Sequence, residues 1–144
     1  MYLCVVIVLL LLRNDGNIQS TKGKEKPKAT EDIMNTKTAR QIEEMKKQTI
    51  GVEIEMNSIS RSKAAKLASQ FFGTGRYKNT ADRNSYCTWS AYDEQGREWK
   101  FQKDVSIAGI DSEKCEMVTP ILNYSDIETL QELVRILRKA GAKS

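Results

Sequence analysis

The chain has 144 residues, with 23 Lys/Arg, 19 Asp/Glu and no histidine. That is room for one ordinary domain, and it excludes Ser-His-Asp and Cys-His nucleophile pairs, histidine general bases and imidazole-built zinc sites. The formal charge of +4 is unevenly spread: residues 13–49 hold nine Lys/Arg against six Asp/Glu, residues 50–144 fourteen against thirteen, so the candidate domain is near neutral and lacks the clustered basic face of a nucleic-acid binder.

Residues 2–12, YLCVVIVLLLL, form the only long apolar run. As a helix it reaches about 16 Å, short of the ~30 Å hydrocarbon core, so it is no membrane span. Its length suits a signal-peptide core, but no Lys or Arg precedes it and RNDGNIQS after it offers no small-x-small cleavage site. A signal or anchor role therefore stands beside a second reading, in which the leader is no part of the functional protein and Met34 opens a soluble polypeptide. Residues 13–33 are polar and lysine-rich, the composition of a disordered linker. The expected division is 1–33, leader and linker, and 34–144, the folded part.

Residues 36–48, TKTARQIEEMKKQ, suit a short helix with Ala39, Ile42 and Met45 along one side. TIGVEIEM, residues 49–56, alternates in the manner of a strand. Ser60 is placed to cap a helix over 61–72, whose apolar face is Ala64, Ala65, Leu67, Ala68, Phe71 and Phe72, with Gly73 as its stop. Residues 73–85 read as a loop. YCTWSAY and REWKFQK read as a hairpin joined by DEQG, and KCEMVT as a further strand closed by Pro120. Ser125 and Glu128 match a capping box opening a helix that carries Ile127, Leu130, Leu133, Val134 and Leu137, with Gly141 at its end. The order strand, helix, hairpin, strand, helix predicts an α+β fold, a largely antiparallel sheet with packed helices.

Three places carry residues suited to chemistry. In GVEIEM, Glu53 and Glu55 share one face of a strand, about 6.7 Å apart along the chain. Val52, Ile54 and Met56 take the other face. Two carboxylates on rigid backbone suit a hard divalent cation, and equally the solvated side of a half-buried strand. In CEMVTP, Glu116 sits inside a short apolar strand, where a carboxylate is costly to bury unless paired or metal-bound; an edge facing water is the alternative. Asp104 and Ser106, where the hairpin's second strand gives out, suit a turn in which both side chains bond local backbone, or a metal or phosphate contact. GTGR at 73–76 lacks the ending of a phosphate loop. The cysteines Cys4, Cys87 and Cys115 are too few and scattered for a disulfide or metal scaffold; they read as buried or incidental thiols of a reducing, cytoplasmic compartment.

GVEIE, then W-K-x-x-x-D-x-S-I, then E-x-V-T-P-I-L, then a capped helix ending L-x-x-A-G-A, follow in that order over residues 50–142. The series resembles the amidoligases, carboxylate–amine ligases related to glutamine synthetase and glutamate–cysteine ligase. The resemblance implies a glutamine synthetase-like antiparallel sheet whose inner face holds magnesium and ATP. It implies amide formation through an acyl phosphate from a small-molecule or peptide carboxylate and an amine. It places Glu53, Glu55 and Glu116 as Mg2+ ligands, and Asp104 and Ser106 near the nucleotide or acyl substrate. Val105 departs from the family, which has a small residue there. The family's next motif, a G-x-H-x-H strand, is absent, so the resemblance covers an N-terminal part with an incomplete site and an unfinished sheet edge open to self-association. The expectation from another class is a small non-enzymatic α+β interaction module whose glutamates are merely solvated.

Overall fold

The computed structural model describes residues 28–80 and 86–144, with side chains from Thr36 onward; the apolar run 2–12 and its signal, anchor or dispensable-leader readings lie outside these. The described residues divide into two units at Gln48–Thr49. In the first, helix α1 spans Lys28–Lys46, eight residues ahead of the expected start at Thr36. Nothing between Lys28 and Thr36 breaks a helix, and Lys, Ala, Glu and Met there all favour one. Ala39, Ile42 and Met45 are exposed on it. Lys46 pairs with Glu43 and Lys47 with Glu44, each at 2.8 Å.

The second unit is α+β and its sheet is antiparallel throughout. The strands are β1 (Thr49–Ile50), β2 (Glu53–Met56), β3 (Tyr77–Asn79), β4 (Trp89–Tyr92), β5 (Glu98–Gln102), β6 (Cys115–Val118) and β7 (Leu122–Asn123), with helices α2 (Arg61–Phe71) and α3 (Ile127–Lys139). Five strands pair in the order β2-β6-β5-β4-β3, and β1 pairs separately with β7. The expected single strand 49–56 is thus two short ones that serve different sheets. Val52, at the break, exchanges bonds with Thr119: its N–H donates to Thr119 Oγ1 (3.0 Å) and its carbonyl accepts from Thr119 N (2.9 Å).

Residues 77–79, expected as loop, form the edge strand β3. YKN has no run of β-formers to announce it, and the strand exists because β4 supplies the ladder. The hairpin β4–β5 turns through residues 93–97, Gly96 taking φ +76. The helix after β7 also differs at its start: the capping box is formed by Asn123 and Asp126 around a 3-10 turn at Tyr124–Asp126, not by Ser125 and Glu128. Asp126 accepts from Asn123 N at 2.8 Å, which draws the hydrogen-bonded turn two residues forward.

One face of the sheet is covered. Val52 and Met56 of the β2 segment, Trp99 and Phe101 of β5, and Cys115 and Met117 of β6 are buried against Ala64, Ala65 and Ala68 of α2 and Leu130, Leu133 and Leu137 of α3. Four small residues on α2 (Ala64, Ala65, Ala68, Ser69) let its backbone come close to the sheet, and the Phe72 ring meets Trp99 with centroids 5.0 Å apart. Period-2 alternation then forces the next residue of each strand onto the other face. That face holds the acidic positions.

Candidate acidic site on the open sheet face

The register brings two of the expected carboxylates face to face. β2 pairs with β6 so that Glu55 lies opposite Glu116 and Glu53 opposite Val118. Because Val52 bonds Thr119 across this ladder, the hydrogen-bonded pairs are those of Val52, Ile54 and Met56. Glu55 and Glu116 therefore form a non-hydrogen-bonded pair, the closer kind, with Cβ atoms about 4.5–5.5 Å apart. Glu53 stands two residues along on the same face. All three candidate ligands share one surface. The solvated-face alternative remains part of the picture, since Glu55 is exposed while Glu53 and Glu116 are half-buried.

On β5, Gln102 is opposite Glu116 and Lys100 opposite Val118. The Gln102 amide donates to Glu116 Oε2 at 2.8 Å. Burial pushes the Glu116 carboxyl above its ordinary range; the Gln102 bond works against this, and the charges of Glu53, Asp104 and Glu55 add to the rise. Among the described residues no Lys or Arg forms an ion pair with Glu53, Glu55 or Glu116. Gln102 was not among the residues singled out in the sequence, although its position two before Asp104 on the W-K-x-x-x-D motif puts it on the acidic face by alternation alone. Lys100, exposed on the same face, was overlooked for the same reason.

Asp104 and Ser106 lie in the segment leaving β5, and they engage each other. Asp104 Oδ1 accepts from the Ser106 backbone N–H and from its hydroxyl, both at 2.8 Å. These bonds hold the Asp104 carboxyl below its ordinary range. The turn chemistry is what the side chains display, while Asp104's charge still reaches Glu116. The rest of that loop is pinned: Lys103 bonds Asp111, Lys114 Nζ donates to Val105 O at 3.3 Å, and Arg61 of α2 donates to the carbonyls of Asp111 and Lys114 at 3.0 and 2.6 Å. Val105 is 76% exposed, so its bulk points away from the fold.

The far end of the same face is different in character. Arg76 and Lys78 lie over the Tyr92 ring, 5.1 and 5.5 Å from its centroid, and Tyr92 OH donates to Glu98 at 3.4 Å. The surface therefore runs from carboxylates on β2 and β6 to cations on β3, with Lys100 between. Of the cysteines, Cys115 is buried beneath the sheet, which pushes its thiol up to about 12; that thiol is inert.

The donor chemistry fits a magnesium ion: carboxylate oxygens on adjacent strands, hard donors with excess negative charge. As the side chains stand among the described residues, no three acidic groups are drawn together tightly enough to enclose a cation. Among these residues no helix is long and apolar enough to cross a membrane.

A family model described as "Putative amidoligase enzyme" matches residues 46–144. No curated protein and no solved structure matches the chain.

Proposed function

The chain belongs to this amidoligase family, and from that premise we propose that it takes part in ATP-dependent joining of a carboxylate to an amine, with magnesium held at Glu53, Glu55 and Glu116. The observation that carries the reading is the β2–β6 register, which puts three carboxylates on one open sheet face with Glu55 directly opposite Glu116. A solvated strand needs no such cross-strand acid pair, since like charges directly opposite are destabilising. The interaction-module reading leaves that cost unexplained.

In the proposed reaction the substrate carboxylate attacks the γ-phosphoryl group of ATP, giving an acyl phosphate as ADP leaves, and an amine then attacks the acyl carbon, forming the amide and releasing phosphate and a proton. Magnesium, when bound, neutralises and aligns charge on the transferring phosphoryl group. The chain's own residues do the rest by position. Glu55 and Glu116 face each other on strands whose other side is packed core, so their spacing is held by rigid backbone. Gln102 holds one oxygen of Glu116 and leaves the other to turn toward Glu55. Lys100, one strand further in, lies between the acidic patch and the Arg76–Lys78 end of the face, where polyphosphate charge would meet it. Asp104 and Ser106, locked in their turn, border the acidic patch as the expected nucleotide-side or acyl-side contact. The acyl and amine substrates are a small-molecule or peptide carboxylate and an amine.

The test is calorimetric titration of the full chain with Mg2+ and with Mg·ATP, beside Glu55→Gln and Glu116→Gln. Binding that weakens at least tenfold in either variant, with unchanged circular dichroism, is the expected result. Equal binding in all three proteins would overturn the assignment.

A further inference from the structure

Lys114 stands two residues before Glu116, at the entry to β6. Its backbone is extended, with φ −76 and ψ 121, so strand alternation carries past Cys115 and puts Lys114 on the open face with Glu116, about 6.7 Å away along the chain. The side chain is 15% exposed. Its base is fixed, because Arg61 holds the Lys114 carbonyl at 2.6 Å. Its tip is held loosely. Among the described residues the ammonium meets the Val105 carbonyl at 3.3 Å and the Asp111 carboxylate at 3.7 Å, and that carboxylate already bonds Lys103. An ammonium has three donors, and a charge-assisted bond is normally about 2.7–2.9 Å long. Lys114 is thus a largely covered cation with donor capacity to spare.

From this we propose that Lys114 binds the carboxylate of the acyl substrate. The inference rests on the reaction proposed above and gives its site a direction, with the acyl group at the end of the face near the 103–114 loop and the phosphates toward β3. The reacting carboxylate must approach a polyanionic phosphoryl group on a face that already carries Glu53, Glu55 and Glu116. A fixed positive charge beside them offsets that repulsion and orients the attacking oxygen. The two lysines that flank the acidic row divide by position. Lys100 is opposite Val118, on the side of Arg76 and Lys78; Lys114 lies on the other side of Glu116.

The surroundings of Lys114 suit one carboxylate better than a chain of phosphates. Asp104 is near: the Ser106 bonds and, after them, the charge of Lys114 hold its carboxyl down. A polyphosphate placed here would meet that acid as well as the cation. Arg76 and Lys78, by contrast, present two cations over one ring, and among the described residues neither forms an ion pair. A lysine that only braced the loop would account for the Val105 contact. It would not account for covering an ammonium on two long contacts, which is costly without a close partner.

The experiment follows the lysine side-chain and backbone NMR signals of the full chain, without magnesium or nucleotide, as butyrate is added at constant ionic strength. Butyramide is the uncharged control. The expected result is saturable shifts at Lys114, Val105 and Ser106 with butyrate and none with butyramide. Lys114→Met should weaken butyrate binding roughly tenfold, the scale of one hydrogen bond to a charged group, and Lys114→Arg should restore most of it, which a brace alone does not require. Where a variant disturbs the loop, the shifts of the unaltered protein decide. Butyrate shifts centred on Lys100 or Arg76, equal shifts with butyramide, or no shift at tens of millimolar would each overturn the proposal. So would equal butyrate affinity in Lys114→Met, or Lys114→Arg binding no better than Lys114→Met. Pyrophosphate is the second probe and should shift Lys100 and Lys78 ahead of Lys114; the reverse order would overturn the division of the face. The butyrate arm holds no metal or nucleotide, so its failure and a failure of the magnesium titration are separate results.

Discussion

Glu116 bears the cost of the acidic face. Its carboxyl is raised by burial and by three neighbouring acids, so folding shifts its titration upward from the ordinary carboxylate range. A carboxyl whose folded pKa lies above its unfolded value contributes stability that is fully present below the unfolded pKa and is lost as pH rises through the folded one. At pH 7 the ionised Glu116 is therefore a burden on the metal-free protein. Glu116→Gln should raise the melting temperature at pH 7, by the scale of one like-charge cross-strand pair, up to about 1 kcal/mol, and the gain should shrink toward pH 4. Thermal denaturation across that range checks the sign. A variant less stable than the parent at pH 7 would show that the Gln102 bond outweighs the repulsion.

Asp93 is the opposite case. It is buried and accepts four bonds: from Trp99 Nε1 (3.1 Å), Arg97 Nε (2.8 Å) and the backbone N–H groups of Gln95 and Arg97. Burial alone would raise its carboxyl, but the Trp99 and Arg97 donors outweigh that and hold it below its ordinary range. Arg97 continues to Asp126 through two bonds of 2.8 and 3.0 Å, which hold the Asp126 carboxyl down as well. The pair ties the β4–β5 turn to the start of α3. With both folded pKa values depressed, this stability is present above the unfolded value and is lost as pH falls through the folded one. Arg97 keeps Asp126 in Asp93→Ala. The loss should therefore be about 1–3 kcal/mol, the cost of leaving the Trp99 Nε1–H and the turn's backbone N–H groups without their acceptor, as measured by urea unfolding at pH 7. The difference from the parent should narrow as the pH falls below the ordinary carboxylate range.

At the level of elements, local caps were readable and borrowed strands were not. Ser60 sits in extended backbone and its hydroxyl accepts from Lys63 N at 3.3 Å, as the sequence predicts. Ser60→Ala should cost about 1 kcal/mol, seen as a fall of a few degrees in melting temperature with the acidic face unaffected. At the other end of the chain Gly141 takes φ +111 after α3, the stop expected of it, and the Ala142 N–H closes the helix on Leu137 O at 3.0 Å. The start of α3 went otherwise because Asp126 answers to Arg97, 29 residues away, as well as to its own turn. β3, β1 and β7 are two or three residues long, and each is a strand only through its partner. No window of sequence shows such a strand, since its bonds are made elsewhere in the chain.

For the molecule as a whole, the buried cluster and the shell packed on it, among the described residues, fall within residues 50–142. A chain starting at Met34 keeps every described core residue and should unfold close to the temperature of the full chain, and be more soluble for want of the apolar run 2–12. Loss of cooperative unfolding on that truncation, measured by calorimetry, would show that the leader packs into the domain.

What the amino-acid order determined by itself is whatever depends on neighbours a few residues apart. The alternation of GVEIEM assigned Glu53 and Glu55 to one face and Val52, Ile54 and Met56 to the other; the helical spacing of α2 and α3 named their buried sides; and the series of motifs pointed to the amidoligase family that the match over residues 46–144 then showed. What only the tertiary structure decided is register. That Glu55 meets Glu116 across 61 positions, that Gln102 holds Glu116, and that Lys143 returns to the edge of β2 at Asn57 all follow from how the core packs. A shift of one residue in the β2–β6 pairing would have turned every one of these side chains to the other face. Burial of Met56, Cys115 and Met117 against α2 and α3 forbids that shift, because it would carry the apolar set into water and the glutamates into the core.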